Sequence, residues 1–504
     1  MGLNSFGQST SSADTSIVKS YTVASGETIA AGNAVELLSD GTVRLCKDGR
    51  TMGTRVNLSS GSQLPVTLSL AILDSTKFAV AYIGNSNYPY VAIASVSGTS
   101  ISSVGNEVAI ESAAGSALKV FAVSSTKIVC VWRRNSTSYM VAAVGTVSGT
   151  TVSFAAPQVV CSAAGTTSSN CALLRKESTT MDSLFFLAHY ASLSNCTFCI
   201  DLKLDRSSGS FSALTAGTAT VGDATYAVNS VVGIDSLKAG IFLTKNDSSP
   251  ATKFGIRYSS PMFYSGNAGG TSLSSSTVPP LTGNNGVSIN AIALDSENIV
   301  ALTADSGGSD TGGWALYLIR ATDSYAVTNF VKTKATLGVY STSSARAGIF
   351  AAGKDKIYVT APSDQFYFCS AYINNEGINA VGRASIEASS PMLSDAAMLS
   401  SDRAIVAYNW SSLPQARVVP IRKTFDGIAV SAGSAGSTVN VVISGKATGL
   451  SGLTPGTMYY LDSATASLTN NSRSGEAVGY AISATELVLS GYNIADNKGG
   501  ILAT

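Results

Sequence analysis

Short apolar runs separated by polar turns fill the middle of the chain. Six-residue segments recur at 77–82 (KFAVAY), 127–132 (KIVCVW), 185–190 (FFLAHY), 239–244 (AGIFLT), 298–303 (NIVALT), 356–361 (KIYVTA) and 403–408 (RAIVAY). Their starts lie 50, 58, 54, 59, 58 and 47 residues apart. Most follow a turn containing Asp or Ser, such as LDST from Leu73, VSST from Val123, LDSE from Leu294 and LSSD from Leu399. Another apolar segment precedes the turn, as at 66–73 (VTLSLAIL). A polar loop follows each run, and then a third strand, as at 90–96, 139–147 and 314–319. In the first two units the near-identical turns VSGTSIS and VSGTTVS lead into a fourth, more polar strand. Four short strands in each unit of roughly 50 residues, seven times over, predict an all-β fold with a propeller of about seven blades. One blade leaves both faces uncovered. Radial stacking covers each with a neighbour, and closing the ring protects the edges. The middle units are long and degenerate, so six or eight blades remain alternatives, as does a stack of small β-sandwiches.

Two regions flank the repeat. Residues 21–62 include GETIAAGNAVELLSDGTVRL, and residues 425–504 include VNVVIS and LVLS runs with turn signals at Asp40-Gly41 and Pro455-Gly456. The division expected is a flexible arm at 1–20, the first part of a small β-domain at 21–62, the propeller at 63–424, and the second part with a C-terminal tail at 425–504.

Composition narrows the function classes. Charged residues are 12% of the chain, about half the ~25% usual for soluble domains. Ser, Thr, Asn and Gly must therefore cover the surface, which suits short strands and tight turns. The net charge is +1 without a basic run or stripe, so no nucleic-acid partner is expected. No stretch approaches the ~18 apolar residues of a membrane span, so no membrane insertion is expected. The first residues lack the basic and apolar parts of a secretory signal. Phe6 stands where a myristoylation pattern wants Ser or Thr. Seven cysteines, an odd number in a long chain, fit folding in a reducing cytoplasm rather than a disulfide framework.

The C-terminal region carries a resemblance. Gly449-Leu450-Ser451-Gly452-Leu453-Thr454-Pro455-Gly456, then Tyr459-Tyr460-Leu461-Asp462, and Ala477-Val478-Gly479-Tyr480-Ala481 with Glu486-Leu487 resemble a small β-domain of tailed-bacteriophage virion proteins, found in tail fibres and related appendages. In that family an upstream "aGdaV.l..dG.v" stretch precedes a "Gia" strand. Here the upstream stretch is 31–43 (AGNAVELLSDGTV) and the Gly427-Ile428-Ala429 strand comes nearly 400 residues later. The simplest reading is one small sandwich- or barrel-like domain split by a propeller inserted into its loop, since insertion is tolerated where chain ends lie close. The resemblance covers about a quarter of the chain. It implies a virion structural protein, made in the host cytoplasm and present in many copies or as a homo-oligomer. Its implied partners are other tail or capsid proteins and a host-surface glycan or protein.

Candidate chemistry is sparse, and no enzyme, cofactor or metal is expected. His189, the single histidine, lies inside an apolar run with no triad partners announced. Cys196 and Cys199 form a lone CxxC in a predicted strand, where positions three apart point to opposite faces. Ser309-Asp310-Thr311-Gly312-Gly313-Trp314 is an incomplete, single Asp-box-like turn. A carboxylate-based glycosidase therefore stays as an alternative, as does a lectin-like propeller unconnected with virions. Surface recognition is the leading reading. If each first strand is innermost, the loops after the second strands (84–89, 133–138, 191–196, 245–252, 304–313, 362–365 and 409–414) open on one face. They gather Asn, Ser and Asp, and in or beside them lie Tyr88, Tyr90, Trp132, Arg133, Trp314 and Trp410. Aromatic rings among hydroxyl and amide groups are what sugar and protein recognition uses. These six are the candidate ligand-binding residues, although each could equally fill a gap between blades.

Overall fold

The computed structural model of the chain describes residues 16–489, apart from 39, 48–51, 62–64, 66, 163–168, 176–182, 192–195, 206–209, 220–225, 235–237, 246–251, 259–275, 278–288, 296–297, 305–313, 321–333, 338–345, 354–355, 375–376, 390, 392, 422–424, 463–464 and 472–476. For many strand residues between 163 and 384 the description extends to the backbone only. Among the described residues there is no α-helix. Two compact units divide the chain. One combines residues 1–49 with 422–504, and the other is Arg50–Ile421.

The larger unit is a propeller of seven antiparallel sheets. Their innermost strands are Thr67–Asp74, Gly115–Ser124, Ser169–Arg175, Tyr226–Gly233, Ile289–Ala293, Ile349–Ala351 and Ser394–Ser400. These first strands lie against one another in sequence order, and the seventh returns to the first. The recurring apolar runs are the second strand of every blade, beginning with Lys77–Ile83, Lys127–Arg134 and Ser183–Ala191. Their unbroken hydrophobicity has a direct cause: both faces are covered. Phe78, Val80 and Tyr82 pack with Ile405 and Ala407 of the seventh blade. Ala79, Ala81 and Ile83, pointing the other way, pack with Leu118 and Trp132 of the second. Burying a side chain of Phe or Val size contributes ~1.5–3 kcal/mol, so this strand alone joins three blades.

Ring closure uses a strand from the other end of the propeller's sequence. Val56–Asn57 supplies the outermost strand of the seventh blade, pairing with Leu413–Pro420 in the register Asn57↔Gln415 and Val56↔Ala416. Gln415 Nε2 donates to Asn57 Oδ1 at 2.7 Å. The boundary read from sequence at 62/63 therefore moves to 49/50. Val56 and Asn57 were read as part of the small domain, but their hydrogen bonds are to the seventh blade.

The VSGT turns have a packing role. Gly98 and Gly149 adopt φ of 58° and 59°, the left-handed backbone that a tight hairpin requires. Each turn's following threonine then presses on a glycine of the preceding blade. A Cβ on Gly105 would lie 1.8 Å from Thr150 O, and one on Gly53 would lie 1.9 Å from Thr99 O. Both glycines donate to the third strand of their own blade, Gly105 N to Ile93 O and Gly53 N to Val418 O, each at 2.9 Å. Blade 1 meets blade 2 as blade 7 meets blade 1.

The smaller unit contains a closed five-stranded barrel of Ile17–Val23, Thr438–Ser444, Gly427–Ala429, Ala34–Leu37 and Thr42–Leu45. Ala34 pairs with Ile428 and Val35 with Gly427. The two halves of the split motif are thus neighbouring strands, and the propeller is inserted between Thr42–Leu45 and Gly427–Ala429. A second sheet follows in the order Lys446–Thr448, Glu486–Leu489, Ala477–Ala481, Met458–Asp462 and Ser467–Thr469. The GLSGLTPG segment is explained by its geometry. Leu450 and Leu453 enter the core with Ile428, Leu461 and Val478, while Gly449, Gly452 and Gly456 take φ of 77°, 73° and 81°. Tyr459 Oη accepts a hydrogen bond from Thr454 N at 2.9 Å and pins the turn.

Candidate functional site

Each inner strand runs antiparallel to the second, so the second-to-third loops share a face with the entries to the inner strands. This is the face that the candidate residues were expected to line. The structure divides them.

Trp132 and Trp314 are 0% and 1% exposed. Trp132 fills the space between the first two blades. Trp314 packs between the fifth and sixth, where its Nε1 donates to Pro362 O at 2.8 Å. Neither ring has a face left for a ligand, so both are corrected to core residues. Their position at strand ends suggested loops, but a propeller buries strand ends between blades. Arg133 is half-buried and braces its own loop: Nη2 donates to Ser138 Oγ at 2.8 Å, and Nη1 reaches Ser116 Oγ at 3.4 Å. Desolvation lowers its pKa.

Tyr88 and Tyr90 stay half-buried at the edge of the first blade. Tyr88 closes a one-turn 3-10 helix, Asn85–Asn87, in which Ser86 and Asn87 take positive φ. Gly84 N donates to Tyr88 O at 3.0 Å and holds the loop shut. Tyr90 stacks on Tyr82, ring centroids 5.8 Å apart. Burial, with the charge of Glu107 next, raises the Tyr90 pKa. Tyr82 itself is buried and donates its hydroxyl to Glu107. That burial and the adjoining carboxylate push its pKa far above the ordinary tyrosine range.

Trp410 is the centre of a second patch. It ends the second strand of blade 7, beside a two-residue turn in which Ser411 and Ser412 both have positive φ. The ring is half-buried, edge-on to Tyr408 at 6.5 Å. The Arg55 guanidinium lies over it, 5.1 Å from the ring centroid. Arg55 Nη1 also reaches Glu387 Oε2 at 3.2 Å. Glu387 Oε1 accepts from Tyr408 Oη at 2.6 Å and lies 3.6 Å from Arg417 Nη1. Burial, then Glu387, raises the Tyr408 pKa strongly. One carboxylate thus organises two guanidiniums and a phenol under a tryptophan edge. Such a patch suits non-covalent contact with polar, partly apolar surfaces, because aromatic and Arg side chains combine area with hydrogen bonding.

Sequence reasoning missed Arg55, Glu107, Glu387 and Arg417. Arg55 precedes the first blade in sequence, and only the closing strand brings it beside Trp410. The side chains of His189, Cys196 and Cys199 lie outside the described residues, although both cysteines fall on one strand, Cys196–Asp205. Residues 309–313 of the Asp-box-like turn also lie outside them. Among the described residues no group of three or more His, Cys, Asp or Glu side chains is placed to hold a metal ion.

No protein-family model matches the chain, and no curated protein does. Among solved structures the chain is similar to a Hadza microbial sialidase, with 10% identity and a TM-score of 0.40 over 75% of this chain and 69% of that one. It is also similar to the WD40 domain of Toxoplasma gondii coronin (8% identity, TM-score 0.42, 75% and 90% covered). A chain of a mitotic checkpoint complex gives 9% identity and a TM-score of 0.43, with 74% and 95% covered. The propeller rests on the strand order itself, and these distant likenesses assign no function to the chain.

Proposed function

We propose that the chain is a non-catalytic recognition protein of a bacteriophage virion appendage, anchored by the split β-domain and contacting the host surface through the loop face of the propeller. The observation that supports this reading most is the pairing of Ala34–Leu37 with Gly427–Ala429. It unites the two halves of the phage-type motif in one barrel and makes the propeller an insertion carried by that barrel. Binding would come from the Trp410 patch and the Tyr88–Tyr90 edge, each weak alone and multiplied by copy number on the particle.

Binding of the full chain to host cells tests the recognition half. Trp410→Ala and Tyr88→Ala are each expected to weaken adhesion about tenfold, the scale of an aromatic contact residue. Unchanged adhesion in the double variant would remove this face from the account.

A second reading, a lectin-like propeller unconnected with virions, is favoured by the half-exposed Trp410 edge under Arg55. A glycan array separates the two: saturable binding of one glycan class by the soluble chain, with no association with particles, supports the lectin.

A further inference from the structure

The closing strand brings like charges together. Val56 and Asn57 pair with Ala416 and Gln415, so the same register carried one residue further sets Arg55 against Arg417. Directly opposed like charges destabilise a strand pair. Arg417 sits opposite Val406, and Tyr408 and Trp410 follow Val406 at the alternate positions that share a face. That face of blade 7 meets blade 6, which answers with one carboxylate. Glu387 ends the outermost strand of blade 6, Gly377–Glu387. It reaches Arg55 Nη1 at 3.2 Å and Arg417 Nη1 at 3.6 Å. The chain as a whole is nearly neutral, with 32 Lys and Arg against 31 Asp and Glu. These three groups leave one positive charge unbalanced.

The two guanidiniums are not alike. The Arg417 side chain is 15% exposed, and its Nη1 donates to Ile386 O at 2.6 Å. Its Nε is closed off from solvent without a hydrogen-bond partner among the described residues. Arg417 is therefore part of the wall. The Arg55 side chain is 42% exposed and is held at two points, Nη1 on Glu387 and the guanidinium over the Trp410 ring. Its Nε and Nη2 have no hydrogen-bond partner among the described residues. That edge of a guanidinium presents two parallel N–H groups, which match the two oxygens of a carboxylate. Stacking on the indole holds the fork in place, so docking an anion costs little further rotamer freedom. Beside the ring, Ser411 and Ser412 are exposed in their turn and offer hydroxyls.

We infer that the Trp410 patch takes an acidic sugar, its carboxylate on the Nε–Nη2 edge of Arg55 and its pyranose ring against the uncovered part of Trp410. The inference rests on this patch being a recognition surface, as proposed above, and adds the chemical class of what is recognised. A ring of C–H groups and hydroxyls suits an indole flanked by serines. A carboxylate matches one flat fork and one unbalanced charge, whereas a phosphate dianion would bring a second negative charge towards Glu387.

Calorimetric titration of the full chain with oligogalacturonate, oligomannuronate and hyaluronan oligosaccharides, each beside its methyl ester, tests it. Saturable binding of at least one acid is expected, weakened about tenfold or more by esterification, the scale of a charged hydrogen bond. Arg55→Gln should weaken it as much, and Arg55→Lys less, since the charge stays while the fork goes. Trp410 fluorescence gives a measurement without variants. Trp132 and Trp314 are buried, so iodide quenches mainly Trp410, and the acid but not its ester should protect the ring. No saturable binding of any of the three acids, or acid binding that Arg55→Gln leaves unchanged, would overturn the inference. Failure of the patch itself reads differently. Ester bound as tightly as acid, yet lost in Trp410→Ala, would sink the acid and keep the patch; acid binding unaffected by Trp410→Ala would remove both.

Discussion

Gly53→Ala is the sharpest probe of how the ring closes. Gly53 sits where the chain entering the seventh blade meets the Gly98-Thr99 turn of the first. The new Cβ would stand 1.9 Å from Thr99 O, 3.2 Å from Thr99 C and 3.3 Å from Val418 O. The first distance falls about 1.4 Å short of the ~3.3 Å at which C–H groups and carbonyl oxygens rest. Both sides of the contact are backbone, so no rotamer change relieves it and the two blades must separate. Overpacking of this kind costs ~1–3 kcal/mol, and this backbone clash belongs at the upper end. Unfolding entropy is ~2.1 cal/mol/K per residue, or about 0.8 kcal/mol/K over the propeller Arg50–Ile421. About 3 kcal/mol thus lowers Tm by about 4 °C if the propeller melts as one unit. Gly98→Ala is the control. It places alanine at φ 58° with nothing within 4 Å, costing ~1–2 kcal/mol of backbone strain and about 1–3 °C. Scanning calorimetry of the full chain reads both. A Gly53→Ala loss no larger than that of Gly98→Ala would refute the tight closure contact.

The two buried tyrosines make stability fall on the alkaline side. Tyr82 and Tyr408 have folded pKa values above their unfolded value of 10.0, so the unfolded chain loses protons first. Their contribution is full below pH 10 and is lost as pH rises toward the folded values; chemical denaturation from pH 9 to 11 should show a shallower decline for the double Phe variant. Trp314→Phe should cost ~1–3 kcal/mol more than Trp132→Phe in urea unfolding, because it orphans Pro362 O, whereas Trp132 Nε1 has no hydrogen-bond partner to lose among the described residues.

The second strands were legible because a strand covered on both faces must be apolar throughout. Their spacing pointed to about seven blades, and the seven antiparallel sheets fix the count left open between six and eight. The closing strand was not legible. Val56–Asn57 is two residues long with one half-buried and one exposed side chain, so no periodicity marks it, and its partner lies some 360 residues away. The candidate site was half legible for the same reason. Trp410 and Tyr90 announced themselves as aromatics near loops, but burial of Trp132 and Trp314 depends on which neighbour each blade meets. Arg55 and Glu387 reach Trp410 only through closure. The small domain was readable in spite of its division, because Gly449, Gly452 and Gly456 perform turns that few other residues tolerate.

Electron microscopy of purified tailed-phage particles, labelled with an antibody against the propeller, tests the proposed function most directly. The account predicts label on an appendage at several sites per particle, with the propeller projecting beyond the attachment point. Unlabelled particles from lysates in which the chain is abundant and free would contradict it.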